Sequence, residues 1–254
     1  MKTMSAFQPL SLVILRYHVM DSAKQTESEL VWDFFKQSPQ GVFVEVGANH
    51  PTVDNQTWFL EQRGWSGVLV EPNPDLVRLL VEQRLRSRVV HAAVGAPGQP
   101  DDVDLLLGLN PLHSTLTPML GDQLSGKTVR VKLRTLNSIL DQVGVERIDF
   151  LSIDVEGMEL QVLQGLDFKK HAPRLILIEE HRRDYTKHFY LRHQGYRLVR
   201  RTGRNNWYVA PDSPETVHTL NSFSEKIRLW RKMWVNPPFN KLRRKIVGCF
   251  RQTP

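Results

Sequence analysis

Short apolar runs that stop at a glycine or an acid, with helical stretches between them, constrain this chain more than any other feature. Val42 to Val46 stops at Gly47, Gly67 to Val70 stops at Glu71-Pro72, and Asp149 to Ile153 stops at Asp154. Val89 to Val94 and Leu175 to Ile178 read as further strands. Between them, Thr57 to Gly64 has helical composition and ends in glycine, Asp75 to Leu85 spaces Leu76, Leu79 and Leu80 along one face, and Glu156 to Leu166 does so with Leu160 and Leu163. Strands that alternate with helices at this length predict an α/β fold, a mostly parallel sheet covered on both faces.

Two stretches break the rhythm. Val103 to Leu107 and Thr128 to Leu133 read as strands flanking a polar insertion or lid, Gly108 to Gly126. Tyr196 to Val199 and Asn206 to Val209, separated by Thr202-Gly203-Arg204-Asn205, read as a C-terminal antiparallel hairpin. Leu30, Trp32, Phe34 and Phe35 mark a helical N-terminal lead-in over residues 1–39, ahead of a main domain at 40–212.

Charge separates off the rest. The net charge is +7, yet residues 216–254 carry nine Lys or Arg against Glu225 alone, while the remainder holds 25 bases and 26 acids. Within this basic tail, taken as 213–254, Phe223, Ile227, Trp230 and Trp234 fall on one helical face, and Phe239, Leu242, Ile246 and Phe250 repeat the pattern beyond Pro237-Pro238. Such helices suit an anionic membrane surface, here over residues 222–250; the alternative is a helix pair packed on the domain. Nucleic acid is the less favoured partner, because the body holds no RNA-binding motif. Cys249 is the only cysteine, which excludes an internal disulfide framework. The aliphatic run Leu12 to Leu15 is too short for a signal core or a span, so the expectation is a cytoplasmic protein, peripheral on the membrane face.

In an open parallel sheet, ligands bind beyond the carboxyl ends of the strands where the strand order switches. The first such end is Glu45-Val46-Gly47-Ala48-Asn49, where Gly47 permits close approach and Glu45 and Asn49 offer an acceptor and an amide. It matches neither the three-glycine dinucleotide loop nor a Walker loop, so a pyrophosphate cradle is not expected. Glu71, 24 residues beyond Gly47, can accept from both hydroxyls of a ribose. Adenosine without pyrophosphate points to S-adenosylmethionine. Asp154 stands at the mouth of the fourth strand end, and Glu156 is placed at the start of the helix that follows. Asp154, Glu156 and Glu179 or Glu180 are oxygen donors of the kind magnesium prefers, but their spacing does not show convergence, and a metal stays unassigned. Asp154 is the first candidate for the base that withdraws an acceptor proton; Glu180 and His181 are the second. In the lid, Asn110, His113, Ser114 and Thr115 are fit to hold acceptor hydroxyls.

Val44-Glu45-Val46-Gly47-Ala48-Asn49, Val70-Glu71-Pro72-Asn73-Pro74, Ala92-Ala93-Val94-Gly95, Thr135 to Leu140, and Ile148 to Glu159 with Val162-Leu163-Gln164-Gly165 follow one another in an order that resembles FkbM-type methyltransferases over about residues 40–210. The resemblance implies a class I (Rossmann-like) methyltransferase fold, S-adenosylmethionine as donor, and a hydroxyl on a sugar, glycan or other metabolite as acceptor. It also implies that Glu45 and Gly47 border the methionine part of the donor and that Glu71 binds ribose. Asn73 and the backbone of Ala92 and Ala93 would lie near adenine, with Asp154 between donor and acceptor. Ser152 stands where the family often has lysine, and His50-Pro51 departs from its usual residues. The competing reading of the same landmarks is a non-catalytic adenosine-binding adaptor for a membrane or a partner protein.

Overall fold

The computed structural model describes residues 25–108, 114, 116, 124–180 and 185–213. Strands β1 (Val42–Val46), β2 (Ser66–Glu71), β3 (Ser87–His91), β7 (Phe150–Ile153), β8 (Leu175–Glu179), β9 (Arg197–Thr202) and β10 (Asn205–Val209) form one sheet in the order β3-β2-β1-β7-β8-β10-β9. The first five of these are mutually parallel, and β10 joins antiparallel to both β8 and β9. The expected α/β class, parallel sheet and terminal hairpin are all present. From β1 the chain builds toward β3 on one side and later toward β8 on the other, so the order switches between β1 and β7.

Strand alternation fills both faces. Val44, Val46, Val68, Val70, Leu151, Ile153, Ile176 and Ile178 join one buried cluster, while Phe43, Leu69, Phe150, Leu175 and Leu177 join another. A parallel strand buried on both sides has no polar face, which is why these segments read as unbroken apolar runs. Helix α1 (Glu27–Phe34) opens with a Thr26–Glu29 capping box and packs Val31, with Phe35 just beyond it, into the second cluster. The described part of the lead-in, from residue 25, thus shares a core with the main domain, and residues 1–24 lie outside the described residues. Helix α2 (Trp58–Glu61) follows β1, and α3 (Pro74–Gln83) follows β2 with Asn73 as its N-cap and Pro74 at its first position. Beyond them lie α4 (Leu136–Val143), α5 (Glu159–Gln164) and α6 (Thr186–His193).

Three expectations change. The run Val89 to Val94 is not one strand: β3 ends at His91, and Ala93–Val94 forms a separate strand, β4, paired with β6 (Leu124–Arg134). Strand β5 (Asp102–Gly108) completes that second sheet, antiparallel to β6. The chain turns at Ala92, whose N–H still reaches the Glu71 carbonyl, because two different sheets compete for its neighbours. Glu156 does not begin a helix. It is left-handed at φ 51°, Gly157 follows at φ 109°, and α5 starts only at Glu159, whose carboxylate accepts from the Gly157 N–H at 2.8 Å. Finally, strand β6 extends back through residues 124–126, shortening the expected insertion. His113, Thr115, Asn110, His181 and the basic tail from residue 214 onward lie outside the described residues. Among the described residues no helix is long and apolar enough to cross a membrane.

Candidate functional site

A cleft of about 310 Å³ opens over the carboxyl ends of β2, β1, β7 and β8, at the switch point. Its walls include Glu45, Gly47, Asn49, Glu71, Ala92, Ala93, Ser114, Asp154, Glu156 and Glu179. The acids expected at two separate strand ends, Glu71 and Asp154, therefore face one space.

Gly47 is required here, but by the protein more than by a ligand. At φ 80° it occupies the region glycine tolerates best, and a Cβ would fall 1.9 Å from the Asp154 carbonyl oxygen. Its N–H bonds to the Val70 carbonyl, and the Asp154 N–H bonds to that of Val46, which draws three strand ends together.

Glu71 is buried, and each of its oxygens accepts one backbone N–H, from Asn49 at 2.8 Å and from Asn73 at 2.9 Å. A carboxylate offers about four acceptor positions, so about two remain, matching two ribose hydroxyls. Burial pushes its carboxyl up to about 7; the two N–H bonds pull the other way, and Glu45 adds a smaller rise. Asn73 itself is not part of the cleft wall. It is buried, caps α3, and donates its amide to Ser114 at 3.3 Å, tying the lid residue that lines the cleft to the Glu71 turn. Ala92 and Ala93 are buried and line the wall with small side chains.

Glu45 is held by the loop after β1. It accepts from Thr57 Oγ1 at 2.7 Å, Asn55 Nδ2 at 3.2 Å and the Gln56 N–H at 3.1 Å, while burial raises its pKa against the opposing charge of Arg84.

At the other end of the cleft, oxygens of Asp154, Glu156 and Glu179 lie within 4.8 Å of one another. The convergence that spacing could not show is thus real, and these three are the described residues that could share a divalent cation. Asp154 is open to the cleft, yet the protein crowds it: lost hydration raises its pKa most, and Glu179, Glu156 and Glu159 add to the rise. Glu179 is raised chiefly by its own burial, and Arg204 approaches it at 3.7 Å.

Glu180 is not brought to this place. Glu179, the last residue of β8, lines the cleft, while Glu180, just beyond the strand, lies 3.5 Å from Lys187. Residues that the sequence did not single out also shape the site: Asn55, Gln56, Thr57 and Arg84 around Glu45, and Lys187 with Glu159 behind the acidic end. Nothing local marks them, since each depends on a partner distant in sequence.

The donor fits this cavity by its chemistry. A fixed carboxylate with spare acceptor capacity, small residues beside it and an acidic environment suit a ribose, an adenine and a positively charged sulfonium. The cavity is at the lower end of the range of small-molecule sites.

The family model "Methyltransferase FkbM domain" matches residues 45–198. Among curated proteins, "AMB antimetabolite synthetase AmbE" of Pseudomonas aeruginosa is 40% identical over 75 residues. That match covers 29% of this chain and only 4% of the length of that relative. Among solved structures, the chain is similar to a methyltransferase from Geobacter sulfurreducens, with 14% identity, 81% and 92% of the two chains covered, and a TM-score of 0.38. It is also similar to the METTL16 MTase domain, with 11% identity, 81% and 70% covered, and a TM-score of 0.41.

Proposed function

The chain belongs to the FkbM methyltransferase family and is an S-adenosylmethionine-dependent methyltransferase, and from that premise we propose that it methylates a hydroxyl of a sugar, glycan or other metabolite. The observation that carries this reading is the sharing of one cleft by Glu71 and Asp154. Glu71 would hold the ribose, Ala92 and Ala93 would border the adenine, and Glu45 would face the methionine end.

When bound, the donor supplies a methyl already activated as a sulfonium, so the protein's remaining tasks are alignment and removal of one proton. Asp154 would accept the hydroxyl proton as the new carbon–oxygen bond forms. Its raised pKa makes it a stronger base than an ordinary aspartate once ionised, and its open side lets the proton leave to solvent. Glu179 faces the same carboxyl, and their proximity raises the pKa of Asp154 while lowering that of Glu179. Ser114, which accepts from Asn73, lines the cleft at the lid side, where the acceptor would enter. The short match to an antimetabolite synthetase supports keeping non-sugar metabolites among the acceptors.

The test is turnover of S-adenosylmethionine with a panel of glycans and metabolites from the producing cells, read by a mass gain of about 14 Da, the net CH2 added when a methyl group replaces the hydroxyl hydrogen. Asp154→Asn should bind the donor within about threefold of wild type and lose at least about a hundredfold in turnover. Undiminished turnover in that variant would remove Asp154 from the chemistry. The apolar and basic stripes of residues 222–250 further support contact with an anionic membrane surface. Flotation with phosphatidylserine vesicles should be lost when the chain ends at Asp212, and retained binding refutes the contact.

A further inference from the structure

In sequence, Arg84 is an unremarked base at the end of a helical run. In the structure it is among the most deeply buried side chains, 1% exposed. Its Nε donates to Glu61 Oε2 at 2.7 Å, Nη1 to the Pro51 carbonyl at 3.1 Å and Asn55 Oδ1 at 2.9 Å, and Nη2 to Thr57 Oγ1 at 2.7 Å. The rings of Trp58 and Phe43 lie 5.5 and 5.7 Å from the guanidinium carbon.

Two of these partners pass the contact on. Thr57, having accepted from Arg84, has its own proton to donate, and it goes to Glu45 at 2.7 Å. Asn55 accepts from Arg84 through its oxygen and donates through its nitrogen to Glu45 at 3.2 Å and to the Ala48 carbonyl at 3.0 Å. Both relays end on a carboxylate in the cleft wall. With Gln56 included, three of about four acceptor positions on Glu45 are used, and about one is left for a ligand.

The place of Glu45 in the sheet says which ligand part that is. Strand β1 lies between β2, which carries Glu71 at its end, and β7, which leads to Asp154. A molecule whose ribose sits on Glu71 and whose reactive methyl lies toward Asp154 has its sulfonium and amino-acid end over β1, where a fixed negative charge suits its cationic groups.

We infer that Arg84 is a positioning residue of the donor site, which through Asn55 and Thr57 holds Glu45 and the loop after β1 in place for the methionine end of S-adenosylmethionine. The inference rests on the reading of the cleft as a donor site. Its link to Glu61 is a separate matter, for Glu61 is not in the cleft wall, and that pair joins α2 to the end of α3.

Adenosine separates the two roles, since it carries the ribose and adenine but no methionine end. Binding of S-adenosylmethionine and of adenosine would be measured calorimetrically on the full chain, with melting temperature followed alongside. Two variants serve: Thr57→Val, which cuts one relay without altering any charge, and the double variant Arg84→Met/Glu61→Gln, which does not leave Glu61 charged and alone but does take from Glu45 the charge that opposes it. Both should weaken S-adenosylmethionine at least about tenfold and leave adenosine within about twofold, with Arg84→Lys falling between them and wild type. Equal weakening of the two ligands would make Arg84 a stabilising residue only and overturn the inference, as would unchanged affinity for both. Wild-type protein that binds neither ligand would instead sink the donor reading itself.

Discussion

Acidity should weaken donor binding, and Glu71 sets the range. Its carboxyl titrates near 7 because burial disfavours the charged form more than the Asn49 and Asn73 N–H groups restore it. Two ribose hydroxyls donating to the carboxylate would favour the ionised form, so the binding-competent fraction rises with pH. About one Glu71 in eleven is ionised at pH 6 and about ten in eleven at pH 8, which makes the affinity about tenfold tighter at the higher pH, or about 1.4 kcal/mol. Folding has the opposite sign. A carboxyl raised from 4.5 to about 7 in the native state contributes stability that is complete below about 4.5 and is lost as pH rises through about 7. The full loss is about 3 kcal/mol, of which about 1.3 falls between pH 6 and 8. Calorimetric titration with S-adenosylmethionine at pH 6, 7 and 8, beside thermal melts without it, measures both. Glu71→Gln should bind weakly, with its affinity much less dependent on pH, and it should be the more stable protein at pH 8. Asp154 also titrates above the usual carboxylate range, so the slope that disappears in Glu71→Gln is the informative part. A wild-type affinity that does not change between pH 6 and 8, or the same tenfold slope in the variant, refutes the assignment.

Further outcomes follow from the same geometry. Gly47→Ala sets a methyl against the Asp154 carbonyl at a left-handed backbone position, and should cost about 2 to 4 kcal/mol by chemical denaturation and abolish measurable donor binding. Lys187 is buried, donating to Glu159 at 3.1 Å and to the Glu179 carbonyl at 3.2 Å, so Lys187→Met alone should lose about 3 to 5 kcal/mol. Adding Glu159→Gln should return part of that stability, since Glu180 also faces Lys187, while turnover stays low because the turn that carries Asp154 and Glu156 has lost its charged anchor; a double variant with wild-type turnover would show the pair to be structural alone.

How far the chain could be read depended on the range of the forces involved. The strands were legible because a doubly buried strand is an apolar run and says so within five residues, as Val42 to Val46 and Leu175 to Ile178 do. The acids at their ends were legible for the same reason, since the run stops where the sheet stops. Glu156 misled because an acid before a helix ordinarily stabilises its first turn, and the left-handed pair it forms with Gly157 leaves no clear trace in composition. Glu179 and Glu180 are chemically alike and adjacent, and only where β8 ends, at Glu179, separates the one that lines the cleft from the one near Lys187.

By itself, then, the order of residues determined the layered α/β architecture, the strand ends that meet at the cleft, and the family. Hydrophobic periodicity and short landmarks are local, and a local pattern survives being read along a line. Only the tertiary structure decided that Asp154, Glu156 and Glu179 meet, that Glu180 turns to Lys187, and that Arg84 is buried behind Glu45. A charge can leave water only where partners from distant segments replace its hydration, and that replacement exists nowhere until the chain has folded.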